Sequence, residues 1–418
     1  MSADVSPSSI SGARVAIGYD CFFPLTVGGA ERWYRALSEA LAERGAAVTY
    51  LTRRQWEADP PELPGVKLEA VSRADDLYDE KGVRKLAPGL RFGYGLFRYL
   101  LRHRSEFDLV HLGNFPYWSV IGARLALAGT GVPLIVDWHE IWSFEFWRSY
   151  VGSVVGVAGF AVERLCIALT PVAQVTSESN ARRIRGAGMR REVVVLPGFL
   201  PSGMIGDDSN GEPTEPADPP YVLFAGRHIY DKGIDLLPPL AERLRRLRPE
   251  IGVVVAGGGP GTGKLEADLA TVAPGAQTRL VGFVEYLELQ RLMASAACIV
   301  IPSRREGYGL VLVEASGFGT PAAVAGFEEN LARDNIEPGS NGYVAVPPTP
   351  ERLAEVIVKI VDDGMALRRS AMKWYRETAP GRTMGHSVDT AIGLHERLIG
   401  ERRLAAATGR RSLVRGWR

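Results

Sequence analysis

The sequence predicts an α/β protein made of two doubly wound, Rossmann-like domains that face each other across a cleft. Three observations predict it. Short β-branched runs alternate with helix-length amphipathic runs up to residue 201, the rhythm of parallel βαβ units. The stretch Ser202–Pro220 (SGMIGDDSNGEPTEPADPP) is rich in Pro, Gly, Asp and Ser and reads as a linker. At Tyr221 the rhythm restarts. A chain of 418 residues fits two or three domains.

In the first half, RVAIGY (Arg14–Tyr19) is a strand. It leads into a helix over Ala30–Arg44, where Trp33, Leu37, Ala40 and Leu41 share a face and Gly45 marks the end. Further strands are Ala47–Leu51, Phe107–His111, Pro133–Trp138, Val172–Thr176 and Val193–Leu196. In the second half, the strands are Tyr221–Phe224, Ile251–Ala256, Arg279–Val281 and Cys298–Ile301. Between and after them lie helices over Ile234–Leu247, Leu265–Thr271, Tyr286–Ser295 and Leu312–Gly317. We place the second domain over 221–380 and an amphipathic helix over 381–406. With no strand after it, that helix is expected to pack back on the first domain. Residues 407–418 form a basic tail, and the arginines from residue 401 onward read as a solvated, frayed terminus.

Apolar content of 46% and charged content of 23% describe an ordinary soluble globular chain. A net charge of +1 gives no electrostatic case for nucleic acid. Cys21, Cys166 and Cys298 are far apart in apolar surroundings, so buried free thiols are expected rather than a disulfide or metal framework. The N-terminus lacks a signal-peptide pattern, and no uncharged apolar window is long enough to span a membrane. The expected location is the cytoplasm, or the inner face of the cell membrane.

Several motifs sit where such sheets bind ligands, at the carboxyl ends of strands. Gly28-Gly29 opens the first helix, where free N–H groups favour phosphate; it is not a GxGxxG dinucleotide loop. Asp137-Trp138-His139-Glu140 ends a strand and offers His139 to a hydroxyl group. Gly226-Arg227-His228 through Lys232-Gly233 places an Arg fork and a Lys point charge on one loop, a combination suited to a diphosphate. GGGPGTGK (Gly257–Lys264) lacks the order of a P-loop, because Leu265 follows Lys264. SRREGYGLVLVEASGFG (Ser303–Gly319) sets Glu306 in a turn and Glu314 in the following helix, flanking an N-terminal phosphate seat with two hydroxyl-binding carboxylates. His111 also ends a strand, in a less diagnostic setting, and His103, His386 and His395 carry no signal.

Together these residues resemble a retaining glycosyltransferase of the GT-B fold, family 4 type. GGAE, WHE, GRxxxxKG, PSRREGYGLVLVEA, Gly319-Thr320-Pro321 and Asn341-Gly342 follow in the family's order over about Val15–Val346. The resemblance implies a hexose transfer from a UDP- or GDP-linked sugar, without metal, to a glycan, lipid-linked or small-molecule hydroxyl. It implies that Gly28 and Gly29 line the sugar-diphosphate side and that His139 sits beside the transferred sugar. Arg227 and Lys232 would stabilise the leaving diphosphate. Glu306, with the backbone of Gly307, Tyr308, Gly309 and Leu310, would hold the sugar and distal phosphate, and Glu314 would hold the ribose. Retention then implies front-face attack, in which the departing phosphate oxygen takes the acceptor proton. His228, Tyr230, Ser316-Gly317-Phe318 and the loop Gly326–Asn330 depart from the family's usual pattern and leave the sugar open.

The resemblance assigns the acceptor to the first domain and suggests work in cell-surface polysaccharide biosynthesis. Phe115, Tyr117, Trp118, Trp138, Trp142, Phe144, Phe146, Trp147 and Tyr150 form an aromatic cluster that fits either a core or a sugar- or lipid-contacting surface. Peripheral membrane contact is one expectation for Tyr150–Leu169. Other readings of the same architecture are a phosphorylase, an epimerase or an inactive binding partner.

Overall fold

The computed structural model describes residues 10–26, 28–77, 85–200 and 212–408. Most of the expected linker (201–211) and the arginine-rich end (409–418) lie outside the described residues; 212–220 carry no helix or strand. Two compact units form. Among the described residues, unit 1 holds 10–77, 85–199 and 384–408, and unit 2 holds 200 and 212–383.

Unit 1 runs β1 (Arg14–Gly18), α1 (Gly29–Glu43), β2 (Ala47–Arg53), β3 (Val66–Ser72), α2 (Leu86–His103), β4 (Leu109–Gly113) and α3 (Trp118–Ala126). It continues with β5 (Leu134–Trp138), α4 (Phe144–Val151), α5 (Ser153–Leu169), β6 (Val172–Val175), α6 (Glu178–Gly186) and β7 (Glu192–Val195). The seven strands pair in parallel in the order β3-β2-β1-β4-β5-β6-β7. β4 and β5 are buried along their whole length, as a strand covered on both faces must be. β3 and α2 were not expected from the sequence. α2 carries Pro88, Gly89, Gly93 and Gly95, which read as helix breakers, while packing against α3 and β3 holds the helix.

Unit 2 runs β8 (Tyr221–Ala225), α7 (Leu237–Leu247), β9 (Gly252–Ala256), α8 (Thr262–Val272), β10 (Thr278–Gly282), α9 (Tyr286–Ser295) and β11 (Cys298–Ile301). It ends with α10 (Leu310–Gly317), β12 (Ala322–Ala325), β13 (Gly342–Ala345) and α11 (Pro350–Thr378), the last broken at Gly364. The parallel order is β10-β9-β8-β11-β12-β13. The helix expected from Ile234 starts instead at Leu237, after a 3-10 turn, because Pro238 and Pro239 suit the first helical positions. β12 and β13 escaped notice because four-residue, Ala- and Gly-rich strands have little intrinsic β preference.

The final helix, α12 (Met384–Ala407), belongs to unit 1. Ser387 bonds the backbone of Gly198, and His395 reaches His111 at 2.9 Å. Arg402 donates to the Phe107 carbonyl at 2.9 Å. Two expectations are corrected here: His395 is a fully buried tether, and Arg402 is anchored rather than frayed. All three cysteines are buried and unpaired.

Candidate active site

In unit 2 the strand order reverses between β8 and β11, the point where doubly wound sheets bind ligands. The loop after β8 ends in a 3-10 turn, Tyr230–Lys232, capped by Gly233 at φ 67°. A Cβ on Gly233 would stand 2.1 Å from the Pro302 carbonyl oxygen, so only glycine lets this loop lie against the loop after β11. The approach brings Lys232 Nζ to 2.6 Å from Glu306 Oε2. Both side chains keep about a fifth of their surface exposed, at 23% and 22%. The Glu306 backbone is held on both sides, its N–H donating to Glu329 and its carbonyl accepting from Leu331. An ammonium has three N–H donors, so Lys232 can hold Glu306 and still donate to a phosphate.

Two arginines that sequence reasoning passed over lock this geometry. Arg304 forks onto both oxygens of Asp235 at 2.7 and 2.8 Å and stacks over Tyr230. Arg305 bonds Asp231 at 2.9 Å. The spacing of Asp231 and Asp235 around Lys232 was the available signal. Arg227 is exposed and has no carboxylate partner among the described residues. Leu310 opens α10, with Gly309 before it at φ 83°. A Cβ on Gly309 would stand 2.5 Å from that of Ala332, so this cap also requires glycine. Tyr308 follows Gly307 in the same turn; its carbonyl accepts from Asn335 at 2.6 Å, and burial raises its phenol pKa. Glu314 lies partly buried farther along α10. The structure thus joins Lys232 to Glu306, with Gly307 to Leu310 following directly in the chain. It shows no direct bond from Arg227 to that pair among the described residues.

His228, which departs from the family pattern, is fully buried. Its Nδ1 lies 2.8 Å from Thr262 Oγ1, and its backbone bonds Gly258 and Gly261. Burial lowers its pKa, so the neutral ring serves as the packing centre of the glycine-rich loop after β9.

In unit 1, Gly28 and Gly29 open α1, and Gly28 has extended backbone with no side-chain cap. The same helix sends Trp33 and Tyr34 to the end of β5. Trp33 Nε1 donates to Asp137 Oδ2 at 2.7 Å, and His111 Nε2 donates to Oδ1 at 2.8 Å. His111 Nδ1 lies 2.9 Å from His395 Nε2. Burial works to raise the Asp137 pKa; the charge and hydrogen bond of His111, with help from His139 and Trp33, outweigh it and lower the pKa. Burial, and then the charge of His111, push His395 well down, so it stays neutral. His139 is partly buried, and burial lowers its pKa despite nearby Asp137. Its Nε2 lies 3.4 Å from the Tyr34 hydroxyl, and its carbonyl accepts from Asn180 at 2.9 Å. Asp137, near the end of β5, and His139, one residue past it, stand two positions apart, a spacing that could have exposed this network.

The aromatic cluster divides. Tyr117, Trp138, Trp142 and Trp147 are buried, and the other five are partly buried. At the centre is Glu163 of α5, which accepts from Trp147 Nε1 at 2.5 Å, the Trp142 N–H at 3.1 Å and the Tyr117 hydroxyl at 3.3 Å. Burial raises its pKa to about 7. For those four aromatics the reading as a contact surface is therefore replaced by a core built around one carboxyl group.

The pattern described as glycosyl transferases group 1 matches residues 207–378, and that of a glycosyl transferase 4-like domain matches residues 28–198. The chain is 30% identical over 373 residues to D-inositol 3-phosphate glycosyltransferase of Xylanimonas cellulosilytica, covering 82% of this chain and 86% of that one. The chain belongs to the group 1 glycosyltransferases. It is an enzyme of the GT-B fold. It is also 28% identical to the glycogen synthase of Mycobacterium tuberculosis, over 83% of this chain and 86% of that one. The structure is similar to that of Anabaena Alr3699/HepE in complex with UDP and glucose, with a TM-score of 0.66 at 16% identity, covering 91% of this chain and 98% of that one.

Proposed function

We propose that this glycosyltransferase moves a hexose from a UDP- or GDP-linked sugar to a hydroxyl of a carbohydrate, lipid-linked or small-molecule acceptor. The observation that carries this reading is the Lys232–Glu306 pair, half-open at the switch point of the unit 2 sheet and followed directly by the glycine-capped start of α10. Lys232 and exposed Arg227 neutralise the leaving diphosphate in place of a metal ion. Glu306 accepts hydrogen bonds from sugar hydroxyls, Glu314 from the ribose, and the N–H groups from Gly307 to Leu310 meet the distal phosphate. In unit 1, His139 bonds a sugar hydroxyl and the first turn of α1, with Gly28 and Gly29, faces the sugar-diphosphate. Transfer proceeds with retention. The bond from the anomeric carbon to the phosphate oxygen breaks as the acceptor oxygen attacks the same face, and that phosphate oxygen takes the acceptor proton. The likeness to a protein solved with UDP and glucose supports a UDP-linked donor.

A panel of nucleoside-diphosphate sugars without acceptor tests the reading. One base and one sugar should be hydrolysed fastest, with release of the nucleoside diphosphate; turnover of none would overturn it. We place the enzyme in the cytoplasm, at the inner face of the cell membrane, in cell-surface polysaccharide synthesis. No helix among the described residues is long and apolar enough to cross a membrane. The exposed positions of α5, including Val154, Val155, Val157 and Leu165, are uncharged. On α2, exposed Leu86, Leu90, Tyr94 and Leu101 stand among Arg91, Arg98 and Arg102, with no acidic residue in the helix. Flotation with phosphatidylglycerol-containing vesicles tests the contact, and protein left wholly in the soluble fraction would contradict it.

A further inference from the structure

Unit 1 carries a cavity of about 520 Å³ at the carboxyl end of its sheet, within the range of small-ligand sites. Its walls come from the loop after β1 (Leu25, Thr26), the last residue of β2 and the loop after it (Arg53 to Glu57), and the loop after β3 (Ala74 to Asp76). Gln55 braces the wall: its Oε1 accepts from the Phe22 N–H at 3.3 Å and the Thr26 hydroxyl at 3.2 Å, and its Nε2 donates to Thr52 at 3.1 Å. Trp56, partly exposed, lines the cavity.

The charges select the ligand. Two arginines and three carboxylates line the space, a net charge of −1 (2 − 3). Both arginines are engaged by the backbone. Arg54 donates to the carbonyls of Trp56 and Glu57, and Arg53 to that of Asp75. Asp75 is further held by Arg91 at 2.6 Å, whereas Asp76 is exposed and has no cationic partner among the described residues. A phosphate or carboxylate would find Arg54 held by two carbonyls and the Nε of Arg53 buried, and would meet Glu57 and Asp76. An indole beside free carboxylates suits a ring that is apolar on its face and rich in hydroxyl donors on its rim.

We propose that this cavity is the acceptor subsite and that it takes an uncharged, polyhydroxylated sugar or cyclitol ring rather than its phosphate. The proposal deepens the transferase reading above and rests on it. The test compares paired acceptors, glucose with glucose 6-phosphate and myo-inositol with myo-inositol 1-phosphate, using the best donor from the panel. The neutral member of a pair should be the better acceptor. Trp56→Ala should raise the acceptor KM about tenfold while the donor KM stays within twofold, the size expected for a lost stacking contact. Asp76→Arg should shift preference toward the phosphorylated member. Preference of the wild type for a phosphate, transfer to neither member of either pair, or acceptor and donor KM rising together in Trp56→Ala would overturn the proposal. Failure of the donor panel itself would instead overturn the transferase reading.

Discussion

At the carboxyl end of the unit 1 sheet, ionisable groups are sealed inside: Asp137, His111 and His395 are each almost fully buried, and His111 bonds both of the others. At the same end of the unit 2 sheet, Lys232 and Glu306 are only partly covered, and Arg227 stands in solvent. A sealed charge must be satisfied by the protein itself, so it holds structure. A half-open charge pair can exchange partners with a ligand. The lesson is that changes at the two kinds of group should separate: variants of the sealed unit 1 groups lose stability, and variants of the half-open unit 2 pair lose turnover.

The largest effect expected is on stability, at Glu163. Its pKa is about 7 in the folded protein, against roughly 4.3 for an unfolded glutamate. Between those values the native state binds the extra proton, so stability falls as pH rises from about 4.3 to 7 and is level above, a loss of roughly 4 kcal/mol. Thermal melts across that range should show the decline, and Glu163→Gln should flatten it. An equal slope in the variant would assign the titration elsewhere.

Next in size, Lys232→Ala should lower turnover about 100-fold, the scale of one lost charge-stabilising contact. Steady-state rates with the best nucleotide sugar check this, with a melting temperature close to wild type. Asp137→Ala leaves the buried N–H groups of Trp33 and His111 without an acceptor, so unit 1 should lose about 2 kcal/mol. Urea unfolding measures the loss, and hydrogen exchange should confine it to unit 1. Arg227→Ala should show the smallest effect, about tenfold on turnover and shrinking as salt screens the exposed charge. A salt-independent loss would mean that Arg227 acts by shape rather than by charge.

Much of this contrast was legible in the chain. Strand runs such as LIVDW and CIVI declared themselves through burial on both faces, and the glycines around Lys232 and Glu306 marked loops of close approach. Three things were not. β12 and β13 are held by register with their neighbours rather than by their own residues, so local preference could not find them. The partnership of His111 with His395 joins residues 284 positions apart, and only the return of α12 to unit 1 creates it. Arg304 and Arg305 drew no reading because their carboxylate partners lie about 70 positions away along the chain, beyond any local pattern.

The most direct test of the central claim is a paired measurement on Glu306→Ala, with turnover of the nucleotide sugar and melting temperature read on the same protein. Turnover should fall about 100-fold with the melting temperature nearly unchanged. Turnover near the wild-type rate would contradict it, as would a loss of activity matched by collapse of the fold.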